Sequence, residues 1–319
     1  MLLTKLAIVM TDKCSASCDM CCFGCTPHGK MHLSTELMKD VIRQAGETKS
    51  VHSVGFTGGE PFLFFDQLKE CAAYAKSLGL RVTVNTNGFW GKNEKRALEM
   101  VLELNEAGVE VISFSADRYH QQFVPIKDLQ TAMHVTVEAG IGLEVSVMET
   151  VGSDDIVQMT EALRPEIYRA RIINHPLLPV GKALETISND NYIKEFESCN
   201  AKCTFDGLFQ LNFDGNYYLC CSQFSREIPH INLGNAYEVP LADLERKISS
   251  NDYLYVMLLN GLGWYIELAK EFGYTVPDYI CSACHCCYYV FRNEEFLEKA
   301  KDRVAQEAGR LRVQHLFRR

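Results

Sequence analysis

The chain has 319 residues, of which 47% are hydrophobic and 23% are charged, an ordinary composition for a globular protein. The formal net charge of −9 at pH 7 argues against nucleic acid as the main partner. No window reaches the roughly 18 consecutive apolar residues of a membrane span. The first residues carry no secretory cleavage site, so we expect a cytoplasmic protein that engages no membrane.

Strand and helix patterns alternate through the first 190 residues. Six such units predict a parallel α/β sheet with right-handed crossovers. The predicted strands cover 5–11, 51–56, 81–84, 109–115, 142–148 and 168–173. The predicted helices begin at Ser34, as an N-cap, and then cover 65–78, 92–107, 128–139 and 153–163. Polar and glycine-rich residues follow the strands, at the edge where such folds build their sites.

The pattern changes after residue 190, which predicts a first domain over 1–190 and a second over 191–319. A β-hairpin is expected over 209–219, turning at Asp214-Gly215. Helices are expected over 240–250, 253–259, 264–272 and 294–312, with a loop over 281–287 and a frayed basic end over 311–319.

Fourteen cysteines are many for a chain of this length, and they fall in three groups, with Cys71 alone in a helical pattern. In a reducing compartment, clustered cysteines indicate metal ligands rather than disulfides. The first group, Cys14, Cys18 and Cys21, has CxxxCxxC spacing directly after the first strand. Three thiolates can hold three irons of a cubane cluster, which leaves the fourth iron open to a ligand.

A zinc site is the alternative for this loop, with Cys22 or Cys25 as its fourth ligand. The roles of these two cysteines otherwise stay open.

The three cysteines, followed one strand later by Thr57-Gly58-Gly59-Glu60-Pro61, resemble the radical S-adenosylmethionine (SAM) enzymes. The residue before the third cysteine, often aromatic in that superfamily, is Met20 here. The resemblance implies a partial (β/α)6 barrel and a [4Fe–4S] cluster whose open iron binds SAM. It also implies that Gly58, Gly59 and Glu60 contact the methionine end of SAM.

Four residues at later strand ends resemble the family's polar contacts to the SAM ribose and carboxylate: Asn85, Asn87, Ser115 and Asp117. The alternative for each is a turn or a helix cap.

A second set of cysteines resembles the auxiliary-cluster domains called SPASM and twitch. The resemblance implies a smaller α+β domain with one auxiliary [4Fe–4S] cluster held by Cys203, Cys220, Cys281 and Cys284. Other cysteines that could serve as ligands are Cys199, Cys286 and Cys287. A structural zinc ribbon built from the same pairs is the alternative.

A finer resemblance is to the epipeptide epimerases, radical SAM enzymes that act on ribosomally made peptides. It rests on Asp117-x-Tyr119-His120, Pro179-Val180-Gly181-x-Ala183 and Cys220-Cys221-Ser222, among other segments. The resemblance implies that Cys221 is a hydrogen donor and that Asp206 is also catalytic. Because neighbouring strand residues point to opposite faces, Cys221 should face away from a cluster bound by Cys220.

The expected reaction is epimerisation of L-residues to D-residues in a ribosomal precursor peptide. The 5′-deoxyadenosyl radical takes the Cα hydrogen, and a cysteine thiol returns hydrogen to the opposite face. An electron donor such as a flavodoxin or ferredoxin is implied. The alternatives are a peptide maturase that forms thioether or carbon–carbon crosslinks, an epimerase of a sugar or aminoglycoside, and a non-enzymatic zinc- or cluster-binding module.

Overall fold

The computed structural model describes residues 3–194, 203, 205–220, 222–275 and 279–316. Two cysteines with predicted roles, Cys199 and Cys221, lie outside these ranges. No helix within them is long and apolar enough to cross a bilayer.

Six parallel strands with a helix packed after most of them make up the first part of the chain, which confirms the predicted partial barrel. The strands are β1 (Lys5–Val9), β2 (Ser53–Thr57), β3 (Arg81–Thr86), β4 (Val109–Ser115), β5 (Gly142–Glu149) and β6 (Ala170–Pro176). The helices are α1 (Thr35–Glu47), α2 (Phe65–Ser77), α3 (Glu94–Glu106), α4 (Ile126–Glu138), α5 (Asp155–Ala162) and the short α6 (Ala183–Thr186). Ser34 caps α1 as predicted, because its hydroxyl accepts the Leu37 N–H at 3.2 Å.

The sheet continues past the predicted domain boundary. The hairpin strands β7 (Leu208–Leu211) and β8 (Asn216–Tyr218) are antiparallel, as predicted, and β9 (Asn232–Asn235) follows β8. β7 pairs in parallel with β1, so the nine strands lie in the order β6-β5-β4-β3-β2-β1-β7-β8-β9.

Period-2 alternation in the strands separates the core from a concave inner face. Val54 and Phe56 on β2, and Val82 and Val84 on β3, are fully buried. Their strand neighbours, such as Gly55, are small or polar and line a cavity instead. A barrel packed for stability alone would place large aliphatic residues on that inner face. One face of the sheet is therefore packed in the core, and the other face lines the cavity.

The second part of the chain is mainly helical. Its helices are α7 (Leu244–Ser250), α8 (Asp252–Asn260), α9 (Leu262–Glu271), α10 (Ala283–Phe291) and α11 (Glu294–Leu316). The predicted loop over 281–287 is wrong from Ala283 onward, because α10 begins there. The Ser282 hydroxyl accepts the His285 N–H at 3.1 Å as an N-cap, and Val290 and Phe291 bury the apolar face. The frayed end is also wrong over 311–316, where α11 continues.

Candidate active site

A cavity of about 520 Å³ lies on the concave face of the sheet. The cysteine loop that follows β1 forms one wall, and Cys14, Cys18 and Cys21 all line it. Another part of the wall comes from β7 and the segment after β8, through Leu208, Gln210 and Gln223. The remaining predicted residues that line it are Gly58, Gly59, Asn85, Asn87, Ser115 and Asp117. The fold thus brings the three cysteines and six of the seven predicted SAM contacts to one cavity.

The two glycines after β2 let the chain lie directly against the cysteine loop. The Gly59 N–H donates to the Thr11 carbonyl at 2.7 Å. A Cβ atom on Gly59 would collide with the Lys13 carbonyl, and one on Gly58 would lie 2.9 Å from the Thr11 carbonyl oxygen. Gly58 also has φ +152°, a conformation that L-residues with side chains rarely adopt. Glycine is therefore required here for close backbone approach.

Glu60 differs from the other predicted SAM contacts, because its side chain is fully buried and does not line the cavity. Its carboxylate accepts hydrogen bonds from the Thr86 hydroxyl at 2.8 Å, the Asn87 N–H at 2.8 Å and the Phe62 N–H at 3.1 Å. Burial raises the pKa of Glu60 to about 7 against these hydrogen bonds. The carboxylate joins the end of β2 to the end of β3.

Asn87 links that junction to the cysteine loop. Its side-chain amide donates to the Ser15 hydroxyl at 2.9 Å and lies 3.7 Å from the Cys14 sulfur. Its side-chain oxygen accepts the Phe89 N–H at 3.0 Å, which is the turn alternative considered from the sequence. Asn87 thus caps a turn and also contacts the loop.

Asp117 and His120 form a buried pair on the cavity wall. The His120 Nδ1 atom lies 2.9 Å from both Asp117 carboxylate oxygens. Burial alone would raise the pKa of Asp117, but the charge and hydrogen bonds of His120 outweigh it and leave the pKa lowered. Burial likewise disfavours the charged imidazole, yet Asp117 raises the pKa of His120 overall. One oxygen of Asp117 also accepts the backbone N–H groups of Tyr119 and His120.

The cysteines of the second part of the chain also approach one another. Burial raises the pKa of Cys287 well above its ordinary value, and the nearby Cys220, Cys203 and Cys284 raise it further. Cys284 and Cys287 lie one turn apart on α10 and so share a face of that helix. Cys281 is fully buried just before the Ser282 N-cap.

Asp206 lies beside β1 rather than on the cavity wall. Its carboxylate is 2.6 Å from the Lys5 ammonium in a half-exposed ion pair, which lowers the pKa of Asp206. Lys5 itself lines the cavity. The ion pair therefore connects Asp206 to the cavity through Lys5.

The family model described as the radical SAM superfamily matches residues 8–136, the span that holds the cysteine loop, Gly58-Gly59-Glu60 and Asp117. Residues 8–136 are a radical SAM domain. The chain is 28% identical over 301 residues to YydG of Bacillus subtilis (strain 168), whose name assigns it to peptide biosynthesis; the match covers 91% of this chain and 92% of YydG.

Two solved structures have a similar fold. One is native anSMEcpe with bound AdoMet, at a TM-score of 0.57 and 17% identity over 97% of this chain and all of that chain. The other is BtrN in complex with AdoMet and 2-DOIA, at a TM-score of 0.52 and 15% identity over 92% and 93% of the two chains. At these identities the likeness concerns the fold.

A radical SAM domain implies a [4Fe–4S] cluster and SAM, and the donor set fits them. Burial raises the pKa of Cys14 to about 12, so its thiolate needs a metal to stabilise it. By contrast, hydrogen bonds from Cys25 lower the pKa of Cys21 to about 6. Within the described ranges, no three His, Cys, Asp or Glu side chains are grouped as for a single metal ion.

Several cavity residues of the radical SAM domain and beyond were not predicted as site residues. They are Ser146, Met148, His175, Gln210, Gln223 and Lys5. Ser146 and Met148 lie on a predicted strand and His175 lies two residues beyond another, but nothing in the local sequence marks the strand face that turns inward. His120 had a signal, because it belongs to the Asp-x-Tyr-His segment.

Proposed function

We propose that this radical SAM protein epimerises L-residues to D-residues in a ribosomally made peptide. The observation that carries the proposal is one cavity bounded by the cysteine loop at one end and by Gln223, two residues after Cys221, on its wall. Epimerisation requires hydrogen to leave one face of Cα and to return from the other. A radical source at the cysteine loop would meet that requirement if the Cys221 thiol gives its hydrogen to the opposite face of Cα.

The direction of the hairpin supports this arrangement. Tyr218, the last residue of β8, is paired with Gln210, which pairs with Ala7 near the middle of β1. The chain then continues toward the N-terminal end of β1, away from the cysteine loop. Cys220 follows two residues later, so it approaches the barrel from the end opposite the loop.

When bound, the cluster and SAM supply the 5′-deoxyadenosyl radical that removes the Cα hydrogen. The protein holds the peptide so that its Cα hydrogen faces the cysteine loop and excludes water. Cys221 then breaks its S–H bond and gives the hydrogen atom to the planar carbon on the far face. The sulfur radical left on Cys221 takes up one electron and one proton to restore the thiol.

An auxiliary [4Fe–4S] cluster beside Cys221 is the proposed source of that electron. Cys203, Cys220 and Cys284 belong to the ligand set expected from the sequence. The sequence predicts Cys281 as the fourth ligand and leaves Cys199, Cys286 and Cys287 open; Cys281-x-x-Cys284 and Cys284-x-x-Cys287 both have CxxC spacing. The proximity of Cys287 to the other three thiols favours the second pair.

A peptide substrate is supported by the similarity to YydG, whose name assigns it to peptide biosynthesis. An external flavodoxin or ferredoxin would supply electrons to the radical SAM cluster. A crosslinking maturase and a sugar or aminoglycoside epimerase are the remaining enzymatic candidates.

The test is anaerobic turnover of reconstituted enzyme with the precursor peptide encoded beside its gene, in deuterated water. We expect products of unchanged covalent connectivity that contain D-residues and one deuterium at each inverted Cα. A product lighter by two hydrogens indicates crosslinking and contradicts the proposal. C221A should still cleave SAM but give no D-residue, and D-residue formation at the wild-type rate would exclude Cys221 as the donor.

A further inference from the structure

The segment over 177–182, which joins β6 to α6, and α6 itself contact the cysteine loop. Gly181 has φ +59°, and a Cβ atom there would collide with the Cys22 carbonyl. The Lys182 N–H donates to the Cys21 carbonyl at 3.1 Å. Glycine therefore allows the close approach that brings the Lys182 backbone onto the third cluster cysteine.

The Lys182 side chain makes a second set of contacts with the same loop. Its ammonium donates to the Ser17 carbonyl at 2.8 Å, lies 3.4 Å from the Ser17 hydroxyl, and is 3.0 Å from the Asp19 carboxylate. The Thr186 hydroxyl donates to the Asp19 carbonyl at 2.8 Å. Ser17 and Asp19 flank Cys18, so one lysine contacts the loop on both sides of the second cluster cysteine and at the third.

These contacts exceed an ordinary surface ion pair. An exposed lysine–carboxylate pair contributes about 0–1 kcal/mol. The Lys182 side chain is only 30% exposed and donates to the Ser17 backbone carbonyl, while the Lys182 backbone N–H donates to the Cys21 carbonyl, which also accepts the Gly24 N–H. Lys182 joins two segments that are 165 positions apart in sequence. An ordinary surface lysine would contact only its own helix.

We propose that Lys182 is a positioning residue for the radical SAM cluster, which fixes the backbone of the cysteine loop and places a positive charge beside the cluster thiolates. Fixing the backbone at Ser17 and Cys21 preorganises the thiolates of Cys18 and Cys21 for the cluster. Charge and hydrogen bonding around an iron–sulfur cluster tune its reduction potential. A nearby cation favours the reduced cluster, because reduction adds one negative charge.

The test measures the cluster itself, without peptide. K182M and K182R are compared with K95M, which removes an exposed lysine on α3 far from the loop in sequence. Each protein is reconstituted anaerobically, and two quantities are recorded: the rate at which a chelator removes iron, and the fraction of reduced cluster at fixed applied potentials by electron paramagnetic resonance.

We expect K182M to lose iron about tenfold faster than K95M, the usual cost of removing a group that supports a metal ligand. Its reduced fraction at a given potential should be smaller. K182R keeps the charge but not the compact ammonium, so its potential should be closer to wild type than that of K182M. The proposal is overturned if K182M matches K95M in both quantities.

D19N separates the ion pair from the carbonyl contacts, because it removes only the Asp19 charge. A smaller effect on iron loss than that of K182M, with a reduced fraction no lower than that of wild type, supports the proposal, because removing a negative charge favours the reduced cluster. An effect as large as that of K182M would reduce Lys182 to an ion-pair partner and contradict it.

If K182M holds no cluster, neither quantity can be measured on it. The proposal is then tested by amide hydrogen exchange of the wild-type protein. Removal of iron should increase exchange at the Lys182 N–H, because its Cys21 acceptor loses the ordered loop. Unchanged exchange at Lys182 would overturn the proposal. The proposal depends on the radical SAM cluster but not on epimerisation, so peptide turnover can fail without affecting it.

Discussion

The buried carboxylate of Glu60 accepts the backbone N–H of Asn87 at 2.8 Å, and the Asn87 side chain reaches the cysteine loop at Ser15. The end of β2 is therefore connected to the cysteine loop through the end of β3. Because both oxygens of Glu60 accept hydrogen bonds inside the protein, its charge affects the stability of the fold.

The pH dependence of unfolding should report the buried Glu60. Its pKa is raised from 4.5 to about 7 in the folded state, so the fold favours the protonated acid. The stabilisation from this group is complete below pH 4.5 and is lost as the pH rises through 7, a decrease of about 3 kcal/mol. Urea unfolding of wild type and E60Q between pH 4.5 and 8 measures this decrease in the free energy of unfolding.

We expect the free energy of unfolding of wild type to fall relative to that of E60Q across this range. Other titrating groups are common to both proteins and cancel in the difference. Two profiles that run parallel would contradict the raised pKa of Glu60.

Adding one methyl group at Gly59 should prevent cluster assembly. The Cβ of G59A meets the Lys13 carbonyl, which is backbone and must move together with the cysteine loop. We expect most of the iron to be lost after reconstitution. The control is G309A on α11, where a Cβ meets nothing within 4 Å and helix propensity predicts about 0.5–1 kcal/mol of added stability. Iron content equal to that of G309A would contradict the close approach at Gly59.

The parts of the molecule that follow local rules could be predicted from the sequence. Period-2 runs and an N-cap at Ser34 identified the six strands and α1, since each signal lies within a few residues. The extension of α10 over Cys284 and Cys287 could not be predicted, because cysteine spacing suggested a ligand loop. An N-cap at Ser282 and packing of Phe291 determined the helix instead.

The cavity residues divide in the same way, into those marked by a local motif and those that depend on the packing of distant segments. Residues in a motif, such as Gly58 and Asp117, could be named in advance. Lys182 could not, because its contacts with Ser17 and Asp19 depend on how distant segments pack. Glu60 belongs to a motif, yet its burial could not be predicted from that motif.

Substituting the two competing cysteines should identify the fourth auxiliary ligand. The closeness of Cys287 to Cys203, Cys220 and Cys284 predicts that C287S loses the auxiliary cluster and about half of the total iron of a two-cluster protein. If Cys287 is the fourth ligand, C281S keeps both clusters. Iron content and the number of paramagnetic species after reduction measure this. The reverse result would support the Cys281-x-x-Cys284 pair.

The Lys5–Asp206 ion pair gives a test of Asp206 at a distance from the radical SAM cysteines. Its oxygen–nitrogen distance is 2.6 Å, and Lys5 lines the cavity at the end remote from the cysteine loop. If Asp206 acts there in hydrogen return, D206N should lower the rate of D-residue formation about tenfold to a hundredfold, the range for a positioned polar group in a chemical step. SAM cleavage should stay near wild type, because it depends on the opposite end of the cavity.

E110Q is the matched control, since it removes a carboxylate from a comparable exposed pair with Arg81 at 2.9 Å. K5M discriminates between two roles for Asp206. If Lys5 holds the carboxylate in place, K5M should lower D-residue formation as D206N does. Because Lys5 lowers the pKa of Asp206, the K5M profile should also lose activity at a higher pH than wild type as the solution is acidified. D206N and E110Q with equal rates of D-residue formation would exclude Asp206 from the reaction.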